Sequence, residues 1–176
     1  VRARPWETTE SDEVVEVVGR RTQPDITERV LSASDVRYLP GTNGDAVRVV
    51  QNLPGVARPP FNVGQLVIRG VDPEDSAYYL DGGRIPLVFH FAGLSTVLNG
   101  DLLEEVAFLP GNYGVRYGRR LGGLVDLRSS TALPGRTMGY LSLDVYQTAF
   151  FHTQRIGERD ALTFSGRRSY ADAVLN

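Results

Sequence analysis

The chain has 176 residues, a formal net charge of -2 and 41% hydrophobic residues. That suits one compact domain with a real core, and it argues against disorder throughout and against charge-driven nucleic-acid binding. Cysteine is absent and every basic residue is arginine, so disulfides, thiolate zinc sites, Schiff-base lysines and phosphate-loop lysines are all excluded.

Residues 1–12 are polar and acidic and read as a leader without structure of its own. Glu13, Val14, Val15, Glu16, Val17 and Val18 follow as a β-branched run broken by charge. Such a run is either an edge strand or a strand kept free for a partner. Residues 19–27 read as a polar linker. Glu28–Ser32 is a strand candidate, and Ser34 is placed to cap a single turn over Asp35–Tyr38. A helix is expected over Asp45–Leu53, opened at Asn43 or Gly44, with Ala46, Val49, Val50 and Leu53 on one face. Pro54-Gly55 ends it.

Between Gln65 and Arg128, four short runs bounded by glycine or proline read as strands of one small mixed sheet: Gln65–Arg69, Ala77–Asp81, Val106–Leu109 and Leu124–Arg128. Ile68, Leu80, Val106 and Val125 are the expected core, and a short helix is expected to open near Asn99. Asp72-Pro73-Glu74-Asp75 forms an acidic turn. Strand alternation predicts that the loops 56–64 and 84–93 gather at the sheet end opposite this turn. After Ser130, Met138–Thr153 and Ala161–Tyr170 alternate in polarity, which predicts an antiparallel hairpin. A membrane β-barrel hairpin and a soluble amphipathic hairpin share this pattern. The fold class is therefore α+β, a small mixed sheet with short helices followed by an antiparallel hairpin.

The glycine-rich stretch Gly111–Gly123 lacks a phosphate-loop pattern; its glycines are expected to allow positive φ and close approach to a neighbouring wall. His90 and His152 stand far apart, with no nucleophile–base pair and no metal-ligand spacing around them. An enzyme therefore has no supporting constellation, and no cofactor is expected. The segment Arg84–Gly93 carries Phe89, His90 and Phe91, which either face a ligand or pack. No apolar run reaches the ~20 residues of a membrane helix, and no signal peptide is evident, so the chain reads as cytoplasmic or as a mature or excised piece of an exported protein.

Several pieces in fixed order resemble the plug domain of TonB-dependent outer-membrane receptors. They are Leu53-Pro54-Gly55-Val56 after an amphipathic helix, Ile68-Arg69-Gly70, Tyr79-Leu80-Asp81-Gly82, Leu102-Leu103-Glu104-Glu105-Val106 running into Leu109-Pro110-Gly111, and Tyr117-Gly118 before Gly122-Gly123-Leu124-Val125-Asp126-Leu127. The resemblance covers Glu13 to Ser130 well and the tail more loosely. It implies a flexible segment over 1–27, a plug over 28–133 and the first strands of an incomplete transmembrane barrel over 134–176.

It further implies an outer-membrane receptor that gates nutrient uptake into the periplasm, driven by TonB. The Glu13–Val18 segment would then be the TonB box, adding a strand to the TonB C-terminal domain. Arg58, Phe61, Asn62, Arg84, Phe89 and His90 would face the ligand, a scarce small nutrient of the siderophore, cobalamin, sugar or peptide class. Arg69, Arg116, Arg119 and Arg120 would contact the barrel wall, and the barrel would meet outer-membrane lipid. The alternative is a soluble periplasmic plug-like interaction or signalling module.

Overall fold

Leu103–Leu109 and Leu124–Ser129 form the centre of the molecule, and the rest is arranged around their two faces. In the computed structural model, residues 28–32, 35, 42, 45–57, 66–86, 88–90, 95–145 and 147–170 are described. In chain order the elements are β1 (Arg29–Ser32), α1 (Ala46–Val50), β2 (Val56–Ala57), β3 (Val67–Ile68), β4 (Ala77–Leu80), β5 (Gly83–Ile85), β6 (Phe89–His90), β7 (Ser95–Thr96), β8 (Leu103–Leu109), β9 (Leu124–Ser129), β10 (Met138–Leu143), β11 (Gln147–Arg155) and β12 (Ala161–Ser169). Single 3-10 turns stand at Pro73–Asp75, Gly100–Leu102 and Val115–Tyr117.

The main sheet has five strands in the order β1-β8-β9-β4-β5. It is mixed: β4 runs parallel to β9 and every other pair is antiparallel. Alternation along β8 and β9 sends Val106, Phe108, Val125 and Leu127 to one face and Ala107, Leu109 and Leu124 to the other. Leu103 also reaches the first face although it is three residues from Val106. A register irregularity between Leu103 and Glu105 makes this geometry available, since an extra residue re-aims the side chains beyond it. The first face is covered by Val47, Val49 and Val50 of α1 and by Ile68 of β3. The second is covered by Tyr79, Tyr113 and Tyr117.

Three expectations change in detail. Val67–Ile68 does not join the main sheet; it pairs with Val56–Ala57 in a two-stranded ribbon, so Ile68 is in the core by lying over the sheet rather than within it. Helix α1 spans only Ala46–Val50, and its N-cap is Asp45, whose side chain accepts from the Val47 and Arg48 amides. Pairing reaches upstream from Val106 to Leu103, so the turn opened by Asn99 is limited to Gly100–Leu102. The Asp35–Tyr38 turn lies almost wholly outside the described residues. Ile68, Val106 and Val125 are fully buried, whereas Leu80 packs on the core while remaining half-buried.

Residues of the Gly111–Gly123 loop depart from the glycine expectation in an informative way. Positive φ is taken by Asn112 (58°) and Arg119 (65°), not by the loop's glycines. Gly122 and Gly123 are instead places of close approach. A Cβ at Gly123 would stand 2.5 Å from Ile68 Cγ2, and one at Gly122 would stand 2.6 Å from Ser76 Oγ.

The tail forms a separate three-stranded antiparallel sheet, β10-β11-β12. The alternating run Met138–Thr153 is thus two strands, not one, because the chain reverses after Leu143 and the Asp144 amide bonds the Gln147 carbonyl. On leaving the main sheet the chain is tied at three successive residues. The Ser129 amide and hydroxyl donate to the Asp81 carboxylate at 2.9 and 2.7 Å, the Ser130 amide bonds Leu102 O, and the Thr131 amide reaches Glu104 Oε2.

Candidate functional site: the seam between the two sheets

The two faces of the tail sheet differ sharply. Register pairs Leu141 with Phe150 and His152 with Phe164, so these share one face. Leu141 is 72% exposed, Leu143 74%, Phe150 48% and Phe164 54%. The opposite face carries Tyr140, Gln147, Ala149, Phe151, Thr153 and Arg167, and it is this more polar face that meets the main sheet's layer. Ala149 and Phe151 fall on this buried face because the turn after Leu143 reverses the chain and sets the β10–β11 register.

Polar contacts make the seam. Tyr140 Oη donates to Asp101 Oδ2 at 2.5 Å and stands 3.0 Å from Asn99 Nδ2. Within the tail sheet itself, the cross-strand partners Thr153 and Thr163 join their hydroxyls at 2.8 Å. Deepest is the ion pair between Arg167 Nη1 and Asp45 Oδ2 at 3.0 Å, with both side chains at least nine-tenths buried. The same Oδ2 accepts from the Thr96 amide and hydroxyl. A tail strand, the N-terminus of α1 and the β6–β7 ribbon therefore converge on one carboxylate. The tail meets the plug layer through these polar contacts. It packs through its polar face and leaves its apolar face bare.

Tyrosines line the other face of the main sheet. Tyr117 Oη donates to Asp126 Oδ2 at 2.9 Å, and Tyr79, Tyr113 and Tyr117 stack edge to face. Burial raises the Tyr117 phenol above its ordinary value, and its bond to the Asp126 carboxylate adds to the effect. Burial also raises Tyr113 and, more strongly, Tyr78. Asp126 is buried, and its Oδ1 has no partner among the described residues.

Of the residues singled out from sequence, Glu13–Val18, Arg58, Phe61 and Asn62 lie outside the described residues. Phe89 packs: it is 3% exposed and meets Tyr78 edge-on at 6.2 Å. Arg84 is exposed but not at the expected end. The Asp81–Gly82 turn, both residues at positive φ, is a tight hairpin that sends β5 straight back along β4. Arg84 and Pro86 consequently border a cleft of about 390 Å³ shared with Glu74 and Arg120, beside the acidic turn. His90 pairs with Ser95 through the β6–β7 ribbon.

The four flank arginines are not equivalent. Arg69 is exposed at φ 55°, and a Cβ at Gly111 would stand 2.9 Å from its Nη1. Arg116 lies over the Tyr117 ring at 5.4 Å. Arg119 is exposed, and Arg120 donates to the Glu74 carbonyl at 2.9 Å. Sequence reading missed Asp45, Thr96 and Arg167 as a unit. Asp45 was visible as a helix-start charge and Arg167 as part of an alternating strand, but their meeting is tertiary. Among the described residues no group of three or more acidic or histidine side chains is placed to hold a metal. No helix among them is long and apolar enough to cross a membrane, which says nothing of strands.

A mixed plug-like sheet with a strand sheet leaning on it by its polar face is an architecture that known proteins share. The family model described as the TonB-dependent receptor plug domain matches residues 22–124, more than half of the chain. The chain belongs to that family. Solved structures with the same fold include a ferric enterobactin receptor, PfeA, from Pseudomonas aeruginosa, at 20% identity and a TM-score of 0.57 over 80% of this chain and 24% of that one. The outer membrane transporter YddB from Escherichia coli matches at 17% identity and 0.56, over 81% of this chain and 26% of that one. The ferric-catecholate import receptor Fiu, also from Escherichia coli, matches at 22% and 0.54, over 79% and 20%. The chain thus spans about a quarter of the length of these receptors. No curated protein matches the chain at a significant level by sequence.

Proposed function

We propose that this chain is the plug and the opening barrel strands of an outer-membrane transporter that admits a scarce nutrient to the periplasm on energy delivered by TonB. Its division is 1–27 as the tether that bears the TonB box, 28–133 as the plug and 134–176 as the start of the barrel wall. The observation that carries the reading is the pair of opposed faces on β10–β12. Barrel strands put apolar residues toward lipid and polar residues inward, and here the bare face holds Leu141, Leu143, Phe150 and Phe164 while the polar face meets the plug. A soluble module would bury that apolar face instead.

The cargo class stays with the ligand-facing candidates Arg58, Phe61, Asn62 and His90; Arg84 borders the cleft beside the acidic turn and Phe89 is core, so neither is kept among them. The solved relatives carry different cargo by their names, ferric enterobactin, ferric catecholates and, in OprC, copper, so the shared fold does not select one. Arg69, Arg116 and Arg119 present charge on the flank that the rest of a barrel would cover. Glu13–Val18 supplies main-chain groups and β-branched side chains suited to strand addition.

Two measurements test this. A Phe164→Trp receptor in vesicles of brominated phospholipid should show quenched tryptophan emission relative to ordinary lipid, after subtraction of the wild-type receptor's signal; unquenched emission at that position would favour the soluble module. In cells, Val15→Pro should abolish TonB-dependent growth on the nutrient whose uptake deletion removes, while Val15→Ala does much less, because proline removes a main-chain donor. Continued transport by the proline variant would place the TonB box elsewhere.

A further inference from the structure

We infer that Asp45 is a coupling joint: it makes the position of the β6–β7 ribbon depend on the wall strand β12, and the reverse. The inference takes β12 as barrel wall, and in that respect rests on the proposed function; the coupling itself is argued from the contacts alone.

The carboxylate divides its work. Oδ1 accepts from the Val47 and Arg48 amides at 3.1 and 3.3 Å, fixing the side chain against the start of α1. Oδ2 accepts from the Thr96 amide at 3.0 Å, the Thr96 hydroxyl at 2.7 Å and Arg167 Nη1 at 3.0 Å. Arg167 Nη1 also lies 3.4 Å from the Thr96 carbonyl. Thr96 and Arg167 are therefore held by the same oxygen and by each other, although they are 71 residues apart. Asp45 is 3% exposed, so its charge has little water to turn to if either donor withdraws.

The pair is not built chiefly for stability. Arg167 Nε is buried without a partner among the described residues, and a buried ion pair with an unsatisfied donor offsets much of its own attraction by desolvation. Removing one side alone is another matter, since it leaves a buried charge uncompensated. A contact that contributes little when whole and costs much when halved links the states of the two elements it joins. Linkage makes that dependence reciprocal: what Arg167 does for Thr96, Thr96 does for Arg167. The β6–β7 ribbon is further closed by the Val97 amide on Val88 O at 2.7 Å, so a shift of Thr96 is carried along both its strands to Phe89.

Hydrogen–deuterium exchange on the intact receptor in detergent micelles tests this, with wild type compared to Arg167→Gln, Thr96→Val and, as control, Glu105→Gln. The control breaks the Arg128–Glu105 pair, in which the arginine side chain is 54% exposed. Arg167→Gln should speed exchange at the Thr96 and Val97 amides by about tenfold or more, with Val106 and Val125 unchanged. Thr96→Val should speed exchange in the β12 peptide that contains Arg167, and Glu105→Gln should alter neither place. Wild-type exchange at Thr96 and Val97 in Arg167→Gln overturns the joint. So does equal acceleration throughout β8 and β9, which would mean general loosening. Because the readout needs no cargo and no TonB, a receptor that fails to transport yet shows the reciprocal change would refute the functional reading and leave the joint standing.

Discussion

The main sheet and the tail sheet treat water in opposite ways. In β9, Leu124, Val125, Asp126 and Leu127 are all buried, whereas in β10 only Ser142 is even half-buried. The first sheet has finished burying itself within the described residues: α1 and the β2–β3 ribbon close one face and three tyrosines close the other. The second sheet is finished on one side only, and the side left open is the apolar one. A sheet that hides its polar face and shows its apolar one has the pattern of barrel strands, which put apolar residues toward lipid and polar residues inward.

The comparison is most easily broken at the core. Phe108→Ala, at a residue 1% exposed, should cost about 3–5 kcal/mol through lost transfer energy and a residual cavity; chemical denaturation followed by plug-sheet amide exchange would measure it. If the cost fell below about 1 kcal/mol, the main sheet would be no better packed than the tail.

Leu141→Arg sharpens the contrast from the other side. On a lipid-facing strand the change should cost about 2–4 kcal/mol near the bilayer midplane, seen in folding into vesicles, while plug-sheet exchange stays at wild type. In a soluble module the same variant at a 72% exposed position would be nearly silent.

Tyr117→Phe should destabilise by about 1–3 kcal/mol, because it strips the buried Asp126 of its only partner among the described residues. The same tyrosines give a pH signature. The phenols of Tyr78, Tyr113 and Tyr117 keep their protons to higher pH when folded than in the unfolded chain, chiefly through burial. The unfolded chain therefore ionises first, near its reference of about 10, so stability is intact below that pH and falls as pH rises through the folded values. Phenolate absorbance of folded against denatured protein would show the lag, and its absence would mean that water reaches the tyrosine face. The smallest effect is expected of Ser129→Ala, about 0.5–1.5 kcal/mol, since its bonds to Asp81 are exposed; exchange at the Ser130 amide is the sensitive readout.

Much of this was legible in the residues. Local signals placed Arg29–Ser32, Ala77–Leu80 and Leu124–Ser129 to within a residue or so, because glycine and proline punctuation stops strands wherever the chain then goes. The same signals could not say which strand pairs with which. Val67–Ile68 looked like a sheet strand and is a ribbon over the sheet. Arg84 was assigned to a loop, yet Asp81–Gly82 makes a two-residue hairpin that returns it toward Glu74. Phe89 stood open between ligand and core, and only its contact with Tyr78 decided for the core. The Asp45–Thr96–Arg167 cluster was out of reach for a sharper reason. Its members lie 51 and 122 residues from Asp45, and nothing in the spacing of an acid, a threonine and an arginine tells that they will share an oxygen.

The three ties at Ser129, Ser130 and Thr131 have a consequence for travel. Between the last of β9 and the first of β10 the chain is Ser130–Thr137, eight residues. Fully drawn out, eight residues reach about 26–29 Å. Ser130 and Thr131 are anchored to the plug at Leu102 and Glu104, so only six residues, or about 20 Å, remain as free leash while those ties hold. If β10 is barrel wall, as proposed, a leash this short confines the plug to tilting or sliding beside that strand, and releasing both anchors lengthens it by only about 7 Å.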